Sequence, residues 1–138
     1  MNLEFTVYGE PTAKARPRVT RSGVAYTPKK TVEYENLVKL EYQRQCKGAF
    51  FDRYVPIDIR IIAYFGIPSN ASKKKRQEML DGYIRPCKKP DADNVLKSIA
   101  DSLNGVAYHD DSQIVDCQVR KFYSDRPRVV VKIKDSWR

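Results

Sequence analysis

Asp91-Ala92-Asp93-Asn94-Val95-Leu96-Lys97-Ser98-Ile99-Ala100-Asp101-Ser102-Leu103, then Asn104-Gly105, then His109-Asp110-Asp111, then Val115-Asp116-Cys117-Gln118-Val119-Arg120 is the stretch whose reading decides the fold. Val95, Leu96, Ile99 and Leu103 recur at helical spacing, so the first segment carries one apolar stripe. Asn104-Gly105 supplies the chemistry of a helix stop. After Asp111 the period changes from 3.6 to 2, because Val115, Cys117 and Val119 alternate with Asp116, Gln118 and Arg120. A helix, a short acidic loop and a strand therefore follow one another directly.

Working outward, Leu3, Phe5 and Val7 alternate with polar neighbours and predict a half-buried strand closed by Gly9-Glu10-Pro11. A basic loop follows, with Pro17 and Gly23 interrupting regular structure. Tyr34, Leu37, Val38 and Tyr42 predict a helix from about Thr27-Pro28 to Gln45. The run Ile57 to Phe65 predicts a central strand, and Arg128 to Lys134, with Val129, Val131 and Ile133, a last one. In the weakly patterned segment from Gly66 to Lys89, Ser69-Asn70 is the expected cap of a short basic helix. Strands and helices interleave with no repeat and no linker. The expected fold is a single α/β or α+β domain, a small mixed β-sheet covered by helices.

With 26 Lys and Arg against 17 Asp and Glu, the net charge of +9 favours a polyanionic partner, of which nucleic acid is the commonest. Cys46, Cys87 and Cys117 are dispersed and His109 is the one histidine, so the paired short-spaced ligands of a structural zinc site are missing. Unpaired thiols, no basic and apolar leader after Met1, and no run near the 20 or so apolar residues of a membrane span all point to a soluble cytoplasmic protein.

The chemistry concentrates in Pro90 to Asp111. Hydrolysis of a phosphodiester needs an activated water and neutralisation of charge on the transition state, and carboxylate-held magnesium or manganese supplies both. Asp91 and Asp93 stand where a helix dipole tolerates clustered negative charge. Lys97 and Asp101 follow at successive turns, giving Asp93, Lys97 and Asp101 one helix face. The loop before the third strand is expected to bring Asp111 back beside Asp91 and Asp93. The bland alternative is a capping aspartate, a ladder of surface ion pairs and a pair of turn residues.

Lys89-Pro90-Asp91-Ala92-Asp93-Asn94-Val95-Leu96-Lys97, Asp101-Ser102-Leu103 and His109-Asp110-Asp111-Ser112-Gln113-Ile114-Val115 together resemble the RusA family of Holliday junction resolvases, with its D-x-D-N-x-x-K, D-x-L and D-D-x-Q-[IV] elements. The likeness extends more loosely along the whole chain, so residues 1–138 are expected to form a single RusA-like endonuclease domain. The resemblance implies a homodimeric, magnesium-dependent endonuclease, with manganese as a substitute, that nicks two strands of a four-way DNA junction. It makes Asp91, Asp93 and Asp111 the metal-binding and catalytic carboxylates and Lys97 the catalytic lysine, with Asp110 a neighbour of unassigned role. It also implies a nucleoid setting and is compatible with a phage or prophage source. The lysine-rich segment from Ser69 to Lys89 departs from the family's shorter stretch.

Lys14, Arg16, Arg18 and Arg21, with Lys29 and Lys30, are the candidate DNA contacts. His109 is not needed as a base where a metal activates the water. Tyr26, Phe50, Phe51 and Tyr83 are candidates to stack on unpaired bases or to pack in the core. Cys87 is a poor ligand for magnesium. Two rivals remain: a nuclease of flaps or other branched DNA, and a DNA-binding module without catalysis.

Overall fold

The computed structural model describes residues 1–137. The elements run β1 (Asn2–Tyr8), β2 (Arg18–Val19), β3 (Ala25–Tyr26), α1 (Lys29–Cys46), β4 (Ile57–Gly66), α2 (Lys73–Leu80), α3 (Ala92–Ser102), a 3-10 turn (Asp111–Gln113), β5 (Ile114–Ser124) and β6 (Arg128–Asp135). The fold is mixed α+β, as expected. Its main sheet has the order β1-β6-β4-β5, with β4 parallel to β5 and antiparallel to β6, and β6 antiparallel to β1. The helix α3 is the crossover that the parallel β4–β5 pair requires.

Alternation decides which side of the sheet is covered. Phe5 and Val7 of β1, Ile59, Ile61 and Ala63 of β4, and Val129, Val131 and Ile133 of β6 point to one face and are buried. Tyr34, Val38 and Tyr42 of α1 and Val95, Ile99 and Leu103 of α3 and its cap close over that face. Phe5 and Tyr42 meet edge to face, with ring centroids 5.5 Å apart. The opposite face carries Glu4, Asp58, Arg60, Arg128 and Lys132 and lacks such an apolar layer. α1 and α3 thus cover one side of the sheet.

Three local expectations are corrected. The basic loop contains a two-stranded ribbon, β2 with β3, closed by a turn in which Gly23 N–H donates to the Thr20 carbonyl oxygen. The cap of α2 is Ser72, whose Oγ accepts the Lys75 N–H at 3.2 Å; Ser69 and Asn70 stand a turn too early. The regular alternation over 115–120 is broken at its start, because the β4–β5 register slips between Ile57–Ile114 and Asp58–Asp116, leaving Val115 as a bulge. No helix among the described residues is long and apolar enough to cross a membrane.

Candidate active site

Asp91 is the N-cap of α3. Its backbone is extended, and its Oδ1 accepts the Asn94 N–H at 2.8 Å, so one carboxylate oxygen starts the helix while the side chain stays exposed. Asp93 lies in the first turn, where the dipole stabilises it, and Lys97 Nζ stands 3.5 Å from it across one turn. Both side chains face solvent, so the pair adds only a few tenths of a kcal/mol.

Asp101 does not continue that row. Steps of four residues drift by about 40° each, so Asp101 sits about 80° round from Asp93 but only about 20° from Asn94. Asn94 and Asp101 both turn to Lys14. The Lys14 N–H donates to Asn94 Oδ1 at 2.6 Å, and Asn94 Nδ2 donates back to the Lys14 carbonyl at 3.3 Å. The Lys14 ammonium reaches along the helix to Asp101 Oδ2 at 2.5 Å, with Glu35 of α1 at 3.8 Å. One residue on, Ala15 N–H donates to Thr31 Oγ1 at 3.1 Å. Residues 14 and 15 therefore pin the basic loop between α1 and α3, and Arg16, Arg18 and Arg21 project exposed beyond the pin. Lys14 is turned inward as an anchor. Lys29 is exposed and 3.7 Å from Glu33, and Lys30 is exposed on the same first turn of α1.

The D-D-x-Q element has a division of labour. Asp110 caps the 3-10 turn, its Oδ2 accepting the Ser112 N–H at 3.0 Å, and that bonding holds its carboxyl below the usual range. Gln113 is buried. Its Oε1 accepts the His109 and Asp110 N–H groups at 2.9 and 3.2 Å, and its Nε2 donates to the carbonyls of Asp52 and Val55 at 2.8 and 3.2 Å. This clamp fixes the loop that presents Asp111. Partial burial, a hydrogen bond with Asp101, and the charges of Asp110 and Asp101 push the Asp111 carboxyl above its usual range. His109 packs edge to face on Phe50 at 5.0 Å, and the exposed Cys87 pairs with no other cysteine. Phe51 is core; Tyr26 and Tyr83 are exposed.

Asp111 thus belongs with Asp101, at the C-terminal end of α3. Asp91 lies about 15 Å from Asp101 along the axis and Asp93 about 12 Å, at a rise of 1.5 Å per residue. Among the described residues no three His, Cys, Asp or Glu side chains converge where an ion could be held. The donor chemistry, all hard carboxylate oxygen, suits magnesium or manganese. The geometry within one chain does not gather Asp91, Asp93 and Asp111 around a single ion. The residues not foreseen as part of this arrangement are Asn94, Asp101, Glu35 and Gln113. Asn94, Asp101 and Gln113 lie inside the quoted motifs, but their partners, Lys14 and the 52–55 loop, are distant in sequence.

The chain is 38% identical over 136 residues to the protein YqaN of Bacillus subtilis (strain 168), itself uncharacterized, covering 96% of each. The sequence model described as Endodeoxyribonuclease RusA matches residues 8–134, which takes in the pinned basic loop, both ends of α3 and the turn bearing Asp111. The chain belongs to the RusA family of endodeoxyribonucleases.

Proposed function

We propose that the chain is a single-domain, metal-dependent endonuclease that resolves four-way DNA junctions by paired nicks, using Asp91, Asp93 and Asp111 with Lys97. The observation that carries this reading is the display of exposed carboxylates along α3 beside a loop that holds out Arg16, Arg18 and Arg21, in a chain of net charge +9. A structural role alone explains Asp110 and Gln113. It leaves unexplained why Asp111 is held against Asp101, where two carboxyls oppose each other.

In this reading Arg16, Arg18, Arg21, Lys29 and Lys30 take the phosphate backbone. Lys97 stands one turn inside the helix N-terminus, within reach of the phosphate oxygens that Asp91 and Asp93 face. A bound magnesium, or manganese in its place, would neutralise the phosphate and generate the attacking hydroxide. With Asp111 at the opposite end of α3 from Asp91 and Asp93, a second copy that brings the other end of its own α3 alongside would complete the set. That arrangement, together with two symmetric cuts per junction, supports a homodimer. DNA as substrate places the protein in the cytoplasm with the nucleoid, whether the coding source is a host or a prophage.

The experiment is cleavage of a synthetic four-way junction beside a linear duplex of the same sequence, in magnesium, manganese and chelator. Paired, metal-dependent nicks confined to the junction are expected. Equal cutting of a flap substrate moves the reading to a general branched-DNA nuclease. Junction binding without cleavage in either metal leaves a binding module.

A further inference from the structure

The sheet face away from α1 and α3 carries a second cationic surface, made of residues the motifs do not contain. Tyr8 pairs with Arg128, Arg128 with Tyr64, and Tyr64 with Phe122, so these four form one row across all four strands. Register partners point to the same face. Arg128 lies over the Tyr64 ring at 4.0 Å and Arg126 over Tyr8 at 4.6 Å. Arg85 and Arg120 lie over Phe122 at 4.3 and 4.9 Å, and the Tyr64 and Phe122 rings are 6.3 Å apart.

The two ends of this face differ in charge compensation. Towards the start of β4, Arg60 pairs with Asp58 at 3.3 Å and Lys132 with Glu4 at 3.7 Å. At the aromatic end, none of Arg85, Arg120, Arg126 or Arg128 makes an ion pair among the described residues. Four guanidinium groups thus lie over aromatic rings and none is ion-paired among the described residues. Stacked arginine keeps its fork of donors ordered, which is the geometry that phosphate oxygens accept. Some donors are spent internally: Arg128 Nη1 on Ser124 Oγ and the Arg126 carbonyl, and Arg85 Nε on the Lys121 carbonyl. The remainder are unassigned.

We propose that this arginine–aromatic ladder is a phosphate-backbone contact for an arm of the DNA substrate; the proposal rests on the endonuclease reading above. Its three interstrand steps span about 14 Å at roughly 4.8 Å each. That matches about four nucleotides of one strand at 3.4 Å of axis apiece. Its location fits as well. Residues 85–90 lead from the ladder to Asp91, and Lys121 Nζ ties that segment to β5 by donating to the Lys88 carbonyl at 2.6 Å.

The test is binding of a four-way junction in chelator as a function of salt, for the wild type, the triple variant Arg120→Gln/Arg126→Gln/Arg128→Gln and the matching triple Lys variant. Each phosphate contact contributes about 0.9 to the slope of log affinity against log salt. The Gln variant is expected to lose about 2.7 from that slope and on the order of 100-fold in affinity at 0.15 M salt, while the Lys variant keeps most of the slope. Arg126→Gln alone, at an exposed loop position, is expected to lose about 0.9 and guards against misfolding of the triple variant. Unchanged slope and affinity in the Gln variants overturn the ladder. So does a change of oligomeric mass with unchanged DNA binding, which assigns the face to a second copy. Wild-type junction cleavage in magnesium keeps the two ideas apart. With cleavage intact and slopes unmoved, only the ladder falls; with neither binding nor cleavage by the wild type, both fall.

Discussion

The carboxyl of Asp111 lies beside that of Asp101, although the two belong to different elements and both are acids. Folding brings them together because Gln113 fixes the turn bearing Asp111 against the 52–55 loop while Lys14 holds Asp101 from the other side. Once both are ionised, two such carboxyls repel each other. Asp111 retains its proton more tightly in the folded state than in the unfolded chain, so stability falls as pH rises from the ordinary Asp pKa, about 3.9, through the raised value. Asp111→Asn is therefore expected to raise the midpoint of thermal unfolding at pH 7 in chelator and to flatten its decline as pH rises above about 4. Thermal melts across that range check this; a lower midpoint for the Asn variant contradicts it.

Asp91 caps α3 and, in the endonuclease reading, also holds the metal, and substitution separates the two roles. Asn is as good a helix cap as Asp, so Asp91→Asn is expected to change stability by less than about 0.5 kcal/mol, whereas Asp91→Ala loses the bond to Asn94 N–H and costs about 1 kcal/mol. Cleavage is expected to vanish in both. Denaturant melts and cleavage assays on the same preparations test the split. Activity that follows cap strength instead of charge makes Asp91 structural.

Gln113 ties the acidic turn to the 52–55 loop. Gln113→Ala strands the carbonyls of Asp52 and Val55 and the N–H groups of His109 and Asp110 around a buried side chain. A loss of about 2–4 kcal/mol is expected, with a fall in melting midpoint of roughly 6–12 °C for a domain of this size. A change under 0.5 kcal/mol would show that the clamp is dispensable.

If the carboxylates at the two ends of α3 work together only between copies, inactive variants rescue one another. Mixed dimers of Asp91→Asn with Asp111→Asn then hold one intact set and one doubly depleted set. Mixing is expected to restore nicking of one strand, read on denaturing gels. Mixed dimers verified by mass that stay inactive place all three carboxylates in one chain.

Much of the fold was legible because period and burial agree where elements are long. Ile57 to Phe65, Arg128 to Lys134 and the stripe of Val95, Ile99 and Leu103 each read out the face they bury. Less legible were contacts that depend on partners remote in sequence. Nothing local to Lys14 announces that its backbone and ammonium engage Asn94 and Asp101, about eighty residues on. The spacing of Asp93, Lys97 and Asp101 suggested one face because the 40° drift per step is small, yet over two steps it turns Asp101 onto another partner. The arginine ladder was invisible because its members join only through strand register.

The most direct test of the central claim is single-turnover cleavage of a four-way junction in magnesium by the wild type and by Asp91→Asn, Asp93→Asn and Asp111→Asn, with binding measured in parallel. Paired nicks by the wild type, and variants that bind the junction as tightly but leave it uncut, are the predicted result. Cleavage by the Asn variants at the wild-type rate, or none by the wild type in either metal, would contradict a catalytic role for these carboxylates.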